Sequence, residues 1–396
     1  MLVLTRAEVE SLLDTDLLRA ELAKAFADLS AGKVSMPTRI AALVPEREGL
    51  LAAMPAYLPT AAALTTKLVS LFPRNTDRPT HQAVIVAFDP ATGSPAALLD
   101  GEAITAARTA AGSALATDLL ARKDAKSLVV IGTGVQARAH LRAVARVRPF
   151  EEISIVARDP SKAEALAREF GREFGRRVGW HDTVQLGVSR GDVVCACTHS
   201  PEPVIRREWL KDGAHVTSVG YNTAGREVDE STVVDAVVVV ESRAAVLAAP
   251  PSGSNDVNWP IRDGKITKDH IHAELGELVT KQRPGRANDR QITLYKSVGV
   301  AVEDAAATAL VLRLAKERGV ADLRSIAPHR AADLGARRAP AARRRGSVRC
   351  GSSRARTSGR VASDPDSSDH SLDHLARPSA SLAAGPRRAT RSHSRP

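Results

Sequence analysis

Apolar positions at the start of the chain recur at helical spacing, and Thr5-Arg6-Ala7-Glu8 ahead of them has the spacing of a capping box. The chain is therefore expected to open with helices that run to about Ser30. Beyond that the rhythm shortens. Residues 50–54, 64–72 and 82–88 read as extended segments, with Asp89-Pro90-Ala91-Thr92-Gly93 as a turn, and together they predict an antiparallel sheet. Residues 104–120 predict a long helix. From about Ala125 short apolar runs alternate with helical stretches: strands at 127–131, 153–157, 192–197, 214–219 and 236–240, helices at 137–147, from Pro160 to about Phe170, and at 183–188. That alternation predicts an α/β fold with a doubly wound parallel sheet. Residues 250–264, rich in Pro, Gly, Ser and Asn, are expected as loop, followed by a last helix at 298–319.

The first of the parallel strands carries the most specific signal. Ser127-Leu128-Val129-Val130-Ile131 runs into Gly132-Thr133-Gly134-Val135-Gln136-Ala137, a strand, a glycine turn and a helix in the order that brings a dinucleotide pyrophosphate to a helix N-terminus. Gly132 allows the tight turn, Gly134 lets backbone approach the phosphates, and small Ala137 lets helix and strand pack closely. NADP or NAD is the expected cofactor. Arg158 follows the second strand directly, where a guanidinium pairs with a 2'-phosphate, while Asp159 before Pro160 reads as a helix N-cap. This favours NADPH, with NADH as the alternative.

Composition changes the picture mainly at the C-terminal end. The formal net charge is +11, but sixteen Arg and five Asp, with no Lys or Glu, lie at or beyond Arg324, leaving 40 basic and 40 acidic residues before it. Without a surplus of charge on the part expected to fold, nucleic acid is not an expected partner. Residues 324–396 lack aromatic side chains, are dominated by Ala, Arg, Ser and Pro, and are expected to be a disordered tail. Cys195, Cys197 and Cys350 show neither zinc spacing nor a disulfide framework, and no metal is expected. Cys195 and Cys197 are expected on opposite sides of a buried strand. No segment approaches a membrane span, and Arg6 and Glu8 interrupt the start too early for a signal peptide. A cytoplasmic protein is expected.

Three cations lie in otherwise apolar surroundings: Arg39, Lys67 and Arg108. Charge there is costly unless paired, so each is a candidate ligand for an anion. Met54-Pro55-Ala56-Tyr57, Leu64-Thr65-Thr66-Lys67-Leu68-Val69, His81-Gln82-Ala83, Leu99-Asp100-Gly101, Arg108-Thr109-Ala110-Ala111, the glycine turn and Ser297-Val298-Gly299-Val300-Ala301-Val302-Glu303-Asp304 together resemble the ornithine cyclodeaminase and mu-crystallin family. The resemblance implies a substrate and dimerisation domain of residues 1–122 completed by 296–320, with a Rossmann domain of residues 123–295 inserted, and a homodimer. It places Arg39, Lys67 and Arg108 around a substrate carboxylate. Gln82, Thr109, Gly134, Gln136, Thr198, Val219 and Ser297 match cofactor contacts; Val135 opens the helix behind them, and Arg226 lies where a basic residue flanks the site.

The sequence departs from the cyclodeaminase pattern where an Asp is expected, in Gly220-Tyr221-Asn222-Thr223-Ala224-Gly225-Arg226. Asn222 cannot act as a carboxylate base, and a second acidic position is Ala52. Lys67, Arg108 and Asn222 are thus expected at the reacting atoms, in the reductase branch of the family. The expected reaction is reduction of a cyclic ketimine carboxylate, 1-pyrroline-2-carboxylate or 1-piperideine-2-carboxylate, with Lys67 as proton donor and His81 as its competitor. The alternatives are ornithine cyclodeamination, an alanine-dehydrogenase-like activity on open-chain substrates, and a binding protein that holds NADPH or a small acid without turnover.

Overall fold

The computed structural model describes residues 1–320 except Thr223, Pro250 and Pro251; the expected tail lies outside the described residues. The chain opens with β1 (Leu2–Leu4), α1 (Arg6–Leu12) and α2 (Thr15–Ser30). Strands β2 (Ile40–Val44), β3 (Gly49–Leu58), β4 (Ala63–Leu71), β5 (His81–Phe88) and β6 (Pro95–Asp100) follow, and then the long helix α3 (Gly101–Leu120). Alternation begins with β7 (Ser127–Ile131), α4 (Val135–Val144), β8 (Glu152–Val156), α5 (Pro160–Phe174), β9 (Gly179–His181), α6 (Val184–Val188), β10 (Val193–Ala196) and β11 (His215–Ser218). It continues through α7 (Glu230–Asp235), β12 (Val237–Val240), α8 (Arg243–Val246), α9 (Asn255–Arg262), β13 (Ile271–Glu274), α10 (Leu275–Val279), β14 (Thr293–Lys296) and α11 (Ala301–Glu317).

Strands β1 to β6 form a mainly antiparallel sheet in the order β1-β6-β5-β4-β3-β2, in which only β1 and β6 run parallel. Its alternating pattern buries Ala52, Met54 and Ala56 of β3 and Thr65, Lys67 and Val69 of β4 on one face. Helix α11 packs on β3 and β4 and against α2 and α3. The other strands form an eight-stranded parallel sheet, β13-β12-β14-β11-β10-β7-β8-β9. Leu128 and Val130 of β7 enter one hydrophobic cluster and Val129 and Ile131 the other, so helices cover both faces. This is the expected doubly wound α/β fold. Among the described residues, no helix is long and apolar enough to cross a membrane.

Three expectations need correction. Residues 250–264 are not all loop: Ser254 accepts from Asp256 N and caps α9, which buries Val257 and Pro260. Polar composition there supplies the cap rather than a turn. Strand β3 runs on past Met54 to Leu58, because Pro55 falls between the last β2 pair, Ile40 with Ala53, and the bridge from Ser35 to Tyr57, where its missing N–H breaks no ladder. Finally, Cys195 and Cys197 pack against the same cluster, as residues two apart along an extended chain must.

Candidate active site

A cavity of about 550 Å³ lies between the first sheet, α3 and the ends of β7, β10, β11 and β14. Its lining combines Arg39, Lys67, His81, Thr105, Arg108 and Thr109 with Gly134, Val135, Gln136, Thr198, Val219, Tyr221 and Ser297. Leu50, Ala52, Met54, Val69 and Leu71 of β3 and β4 form an apolar wall. The three cations singled out in the sequence thus meet in one place, from the segment before β2, from β4 and from α3.

Each cation is held by buried partners. Lys67, 2% exposed, forms an ion pair with Asp304 Oδ2 at 2.8 Å and donates to Thr105 Oγ1 at 3.4 Å. Arg108 donates to Glu303 Oε2 at 2.8 Å and to Asp304 Oδ1 at 3.2 Å. Arg39 donates to the carbonyls of Val298 and Gly299 at 3.1 and 2.8 Å. Those two residues are fixed in turn by the Glu241 carboxylate, which accepts from Val298 N at 2.8 Å and Gly299 N at 3.1 Å, and also from Ser297 Oγ at 2.5 Å. Gly299 has φ +71°, and a Cβ there would stand 2.8 Å from both terminal nitrogens of Arg108, so the turn into α11 requires glycine on two counts.

Burial dominates the titration of the site. It lowers the Lys67 ammonium to about 8, with the charge of Asp304 opposing the shift and that of Arg108 adding to it. Burial, then Lys67 and Arg108, lower the His81 imidazole to about 4, which leaves His81 neutral at pH 7. Burial alone would also lower Arg108, but Glu303, Asp304 and Glu241 outweigh it and raise the group. Glu303 is raised to about 8 by burial, against the pull of Arg108.

Beside the cations, the turn after β7 has the geometry expected of a nucleotide site. Gly132 has φ +116°, and a Cβ there would meet the Cys197 carbonyl at 2.7 Å. Gly134 is the N-cap of α4 without a side-chain cap, and a Cβ on it would meet nothing within 4 Å. The first N–H groups of α4 thus lack a side-chain acceptor and border open space, and Gln136 Oε1 is buried with no hydrogen-bond partner among the described residues. These features fit a dinucleotide pyrophosphate. At the end of β8, Arg158 is exposed, and Asp159 accepts from Ser161 N at 3.0 Å as the N-cap of α5.

Other expected residues stand elsewhere. Gln82 donates to the Pro79 carbonyl at 3.3 Å and does not line the cavity. Arg226 lies over the Trp259 ring, 5.7 Å from its centroid, with Glu230 3.9 Å away. Asn222 donates to His199 O at 2.9 Å and accepts from Ala224 N at 2.8 Å, so both ends of its amide fasten loops beside a separate hollow of about 30 Å³. Tyr221 rather than Asn222 faces the main cavity.

The sequence reading missed Glu227 and gave Glu303 and Asp304 no role. Glu227, 3% exposed, accepts from Thr198 N and Oγ1 at 2.7 and 2.8 Å, from Ser218 Oγ at 2.7 Å and from Gly220 N at 2.8 Å. It ties together the ends of β10 and β11 where they border the cavity. The available signal was an acidic residue with no charged neighbour of opposite sign other than Arg226, too common a pattern to single out.

Known proteins share this architecture along its length. The sequence profile described as the ornithine cyclodeaminase/mu-crystallin family matches residues 1–319. The ketimine reductase mu-crystallin of Mus musculus is 38% identical over 315 residues, covering 78% of this chain and 95% of that protein. The solved Delta(1)-pyrroline-2-carboxylate reductase of Thermococcus litoralis, in complex with NADH and L-proline, superposes with a TM-score of 0.77 at 39% identity, covering 81% of this chain and 99% of that one. An archaeal alanine dehydrogenase dimer with bound NAD gives a TM-score of 0.75 at 29% identity, over 81% and 98% of the two chains. With the glycine turn, the clustered cations and the match over residues 1–319 in agreement, the chain belongs to the ornithine cyclodeaminase/mu-crystallin family.

Proposed function

We propose that this chain is an NADPH-dependent oxidoreductase that reduces a cyclic ketimine carboxylate, 1-pyrroline-2-carboxylate or 1-piperideine-2-carboxylate, to the cyclic amino acid. The carrying observation is the convergence of Arg39, Lys67 and Arg108 on one cavity that also borders the uncapped N-terminus of α4. A reduced nicotinamide bound beside them supplies the hydride. Arg39 and Arg108 hold the carboxylate, which orients the C=N carbon. Lys67, lowered to about 8, is charged at pH 7 and close enough to neutrality to deliver a proton to the imine nitrogen. Met54, Val69 and Leu71 pack against the ring, and Gly134, Val135, Gln136, Thr198, Val219 and Ser297 bind the cofactor. Arg158 reads the 2'-phosphate, since the Asp159 carboxylate is committed to its helix cap.

Ornithine cyclodeamination is disfavoured by two positions. Ala52 belongs to the apolar wall, and Asn222 has its amide engaged by loop backbone. Residues 1–122 with 296–320 form the substrate domain around the inserted 123–295, consistent with α11 returning to pack on β3 and β4. The open face of the first sheet carries Ile40, Ala53, Leu68 and Val84 in one cross-strand row, with Ile40 71% and Val84 42% exposed. That row is the homodimer surface, and the assembly works in the cytoplasm. The test is NADPH oxidation, followed at its near-ultraviolet band, with each cyclic imine, alongside ammonia release from ornithine with NAD. Oxidation with a cyclic imine that Lys67→Met abolishes supports the reading; ammonia from ornithine with no imine reduction refutes it.

A further inference from the structure

Two of the cations that line the cavity, Lys67 and Arg108, are gripped from behind by the acidic pair that opens α11, and the two acids do different things. Glu303 joins Arg108 and accepts from Val300 N at 2.9 Å, so it closes the helix N-terminus. Asp304, 1% exposed, places one oxygen 2.8 Å from Lys67 Nζ and the other 3.2 Å from Arg108 Nε. We propose that Asp304 is a positioning residue for imine reduction: it keeps Lys67 protonated at neutral pH and fixes the spacing of Lys67 and Arg108, reaching the substrate only through them. The inference rests on the reductase reading above.

An ammonium as buried as Lys67 gives up its proton unless an anion compensates. The charged and titratable groups that face it are Arg108 from α3, His81 from β5, and Glu303 and Asp304 from α11, with Arg39 beyond Arg108. Arg108 repels it, His81 is neutral, and Glu303, in contact with Arg108 rather than Lys67, supports its charge less than Asp304 does. Asp304 is the acid in direct contact. Its place in the first turn of α11, where the helix dipole favours an anion, suits that task. Burial and the charge of Arg108, opposed first by Asp304 and then by Glu303, leave Lys67 at about 8, the condition a donor needs to be charged at pH 7 and still release its proton.

The test uses the full chain with NADPH and a cyclic imine. kcat/KM is followed against pH for the wild type, Asp304→Asn and Asp304→Glu, and the Lys67 ammonium is titrated by NMR of 13Cε-labelled lysine, its signal assigned by its loss in Lys67→Met. The wild type should lose activity above about pH 8 as Lys67 deprotonates. In Asp304→Asn the activity limb and the NMR titration should both move down by about one pH unit or more, so that above the old limb kcat/KM falls about tenfold further than below it. Asp304→Glu keeps the charge and should keep both near the wild-type position. Titration of the imine itself is common to all three proteins and does not contribute to the difference.

An Asp304→Asn protein whose limb and NMR titration stay in place, whatever its kcat, overturns the inference and leaves Asp304 a packing role. Should Asp304→Asn fail to fold, Asp304→Glu decides: a downward shift of about a unit despite the retained charge overturns it. A wild type that reduces no cyclic imine refutes the reductase reading instead, and the NMR titration still reads whether Asp304 holds the proton on Lys67.

Discussion

Replacing Glu227 by Gln removes one charge and one acceptor from a buried carboxylate that receives four hydrogen bonds. The amide oxygen can keep both Thr198 contacts, each weakened from a charge-assisted to a neutral bond at a cost of about 1 kcal/mol. Ser218 can turn its hydroxyl to accept from the new NH2. Gly220 N–H, however, now faces a donor, and an unsatisfied buried backbone N–H costs about 1–3 kcal/mol. The expected loss is about 3–5 kcal/mol, a large part of the stability of a folded domain. Because Thr198, Val219 and Gly220 line the cavity, cofactor binding should weaken as well. Urea unfolding followed by tryptophan fluorescence measures the first effect, and NADPH fluorescence titration measures the second. A stability loss below about 1 kcal/mol with an NADPH Kd within about twofold of wild type would refute the assignment of Glu227 as the tie between β10 and β11.

Arg158→Ala should weaken NADPH about tenfold or more and leave NADH within about twofold, read by fluorescence titration of both; equal losses exclude a 2'-phosphate contact. Gly299→Ala forces a left-handed backbone on alanine and pushes a methyl into Arg108, so it should cost about 1–3 kcal/mol in urea and lower kcat/KM for imine reduction more than about tenfold. His140, buried between Ser113 Oγ at 2.9 Å and Gln136 O at 2.8 Å, is lowered by burial from 6.5 to about 4. Between those values the unfolded chain binds the proton that the folded one refuses, so stability falls as pH drops, by about 2 kcal/mol at pH 5. His140→Gln removes that term, and its urea midpoint should fall less between pH 7 and pH 5 than that of the wild type. An equal fall means that His140 is not the group titrating.

Much of the nucleotide half was legible because its signals are local. The run from Ser127 to Ile131, the glycines at 132 and 134 and the small Ala137 sit within one strand, turn and helix, and the structure places them as the spacing required. Asp159 was readable as a cap for the same reason, since a cap is set by three neighbouring residues. Strands β13 and β14 were not read. Each mixes polar with apolar residues and ends in a charge, Ile271-His272-Ala273-Glu274 and Thr293-Leu294-Tyr295-Lys296, so neither shows an apolar run like that of β12, and β14 takes its place between β11 and β12 from pairing with both.

By itself, then, the chain determined which side chains were costly to bury and which backbone turns needed glycine, because these depend on residue type and immediate neighbours. Arg39, Lys67 and Arg108 stood out on that ground, and so did Gly132 and Gly134. What the residue pattern could not supply was the company they keep: Lys67 and Asp304 are joined at 2.8 Å across most of the length of the described chain. Only the packing of α11 onto β4 and α3 creates that contact. The same holds for Asn222 and Tyr221, adjacent in the chain, of which the fold turns Tyr221 to the cavity and fastens the Asn222 amide to loop backbone. Convergence depends on where the elements dock, and docking is decided by burial summed over the whole core, a non-directional quantity that no short run of residues encodes.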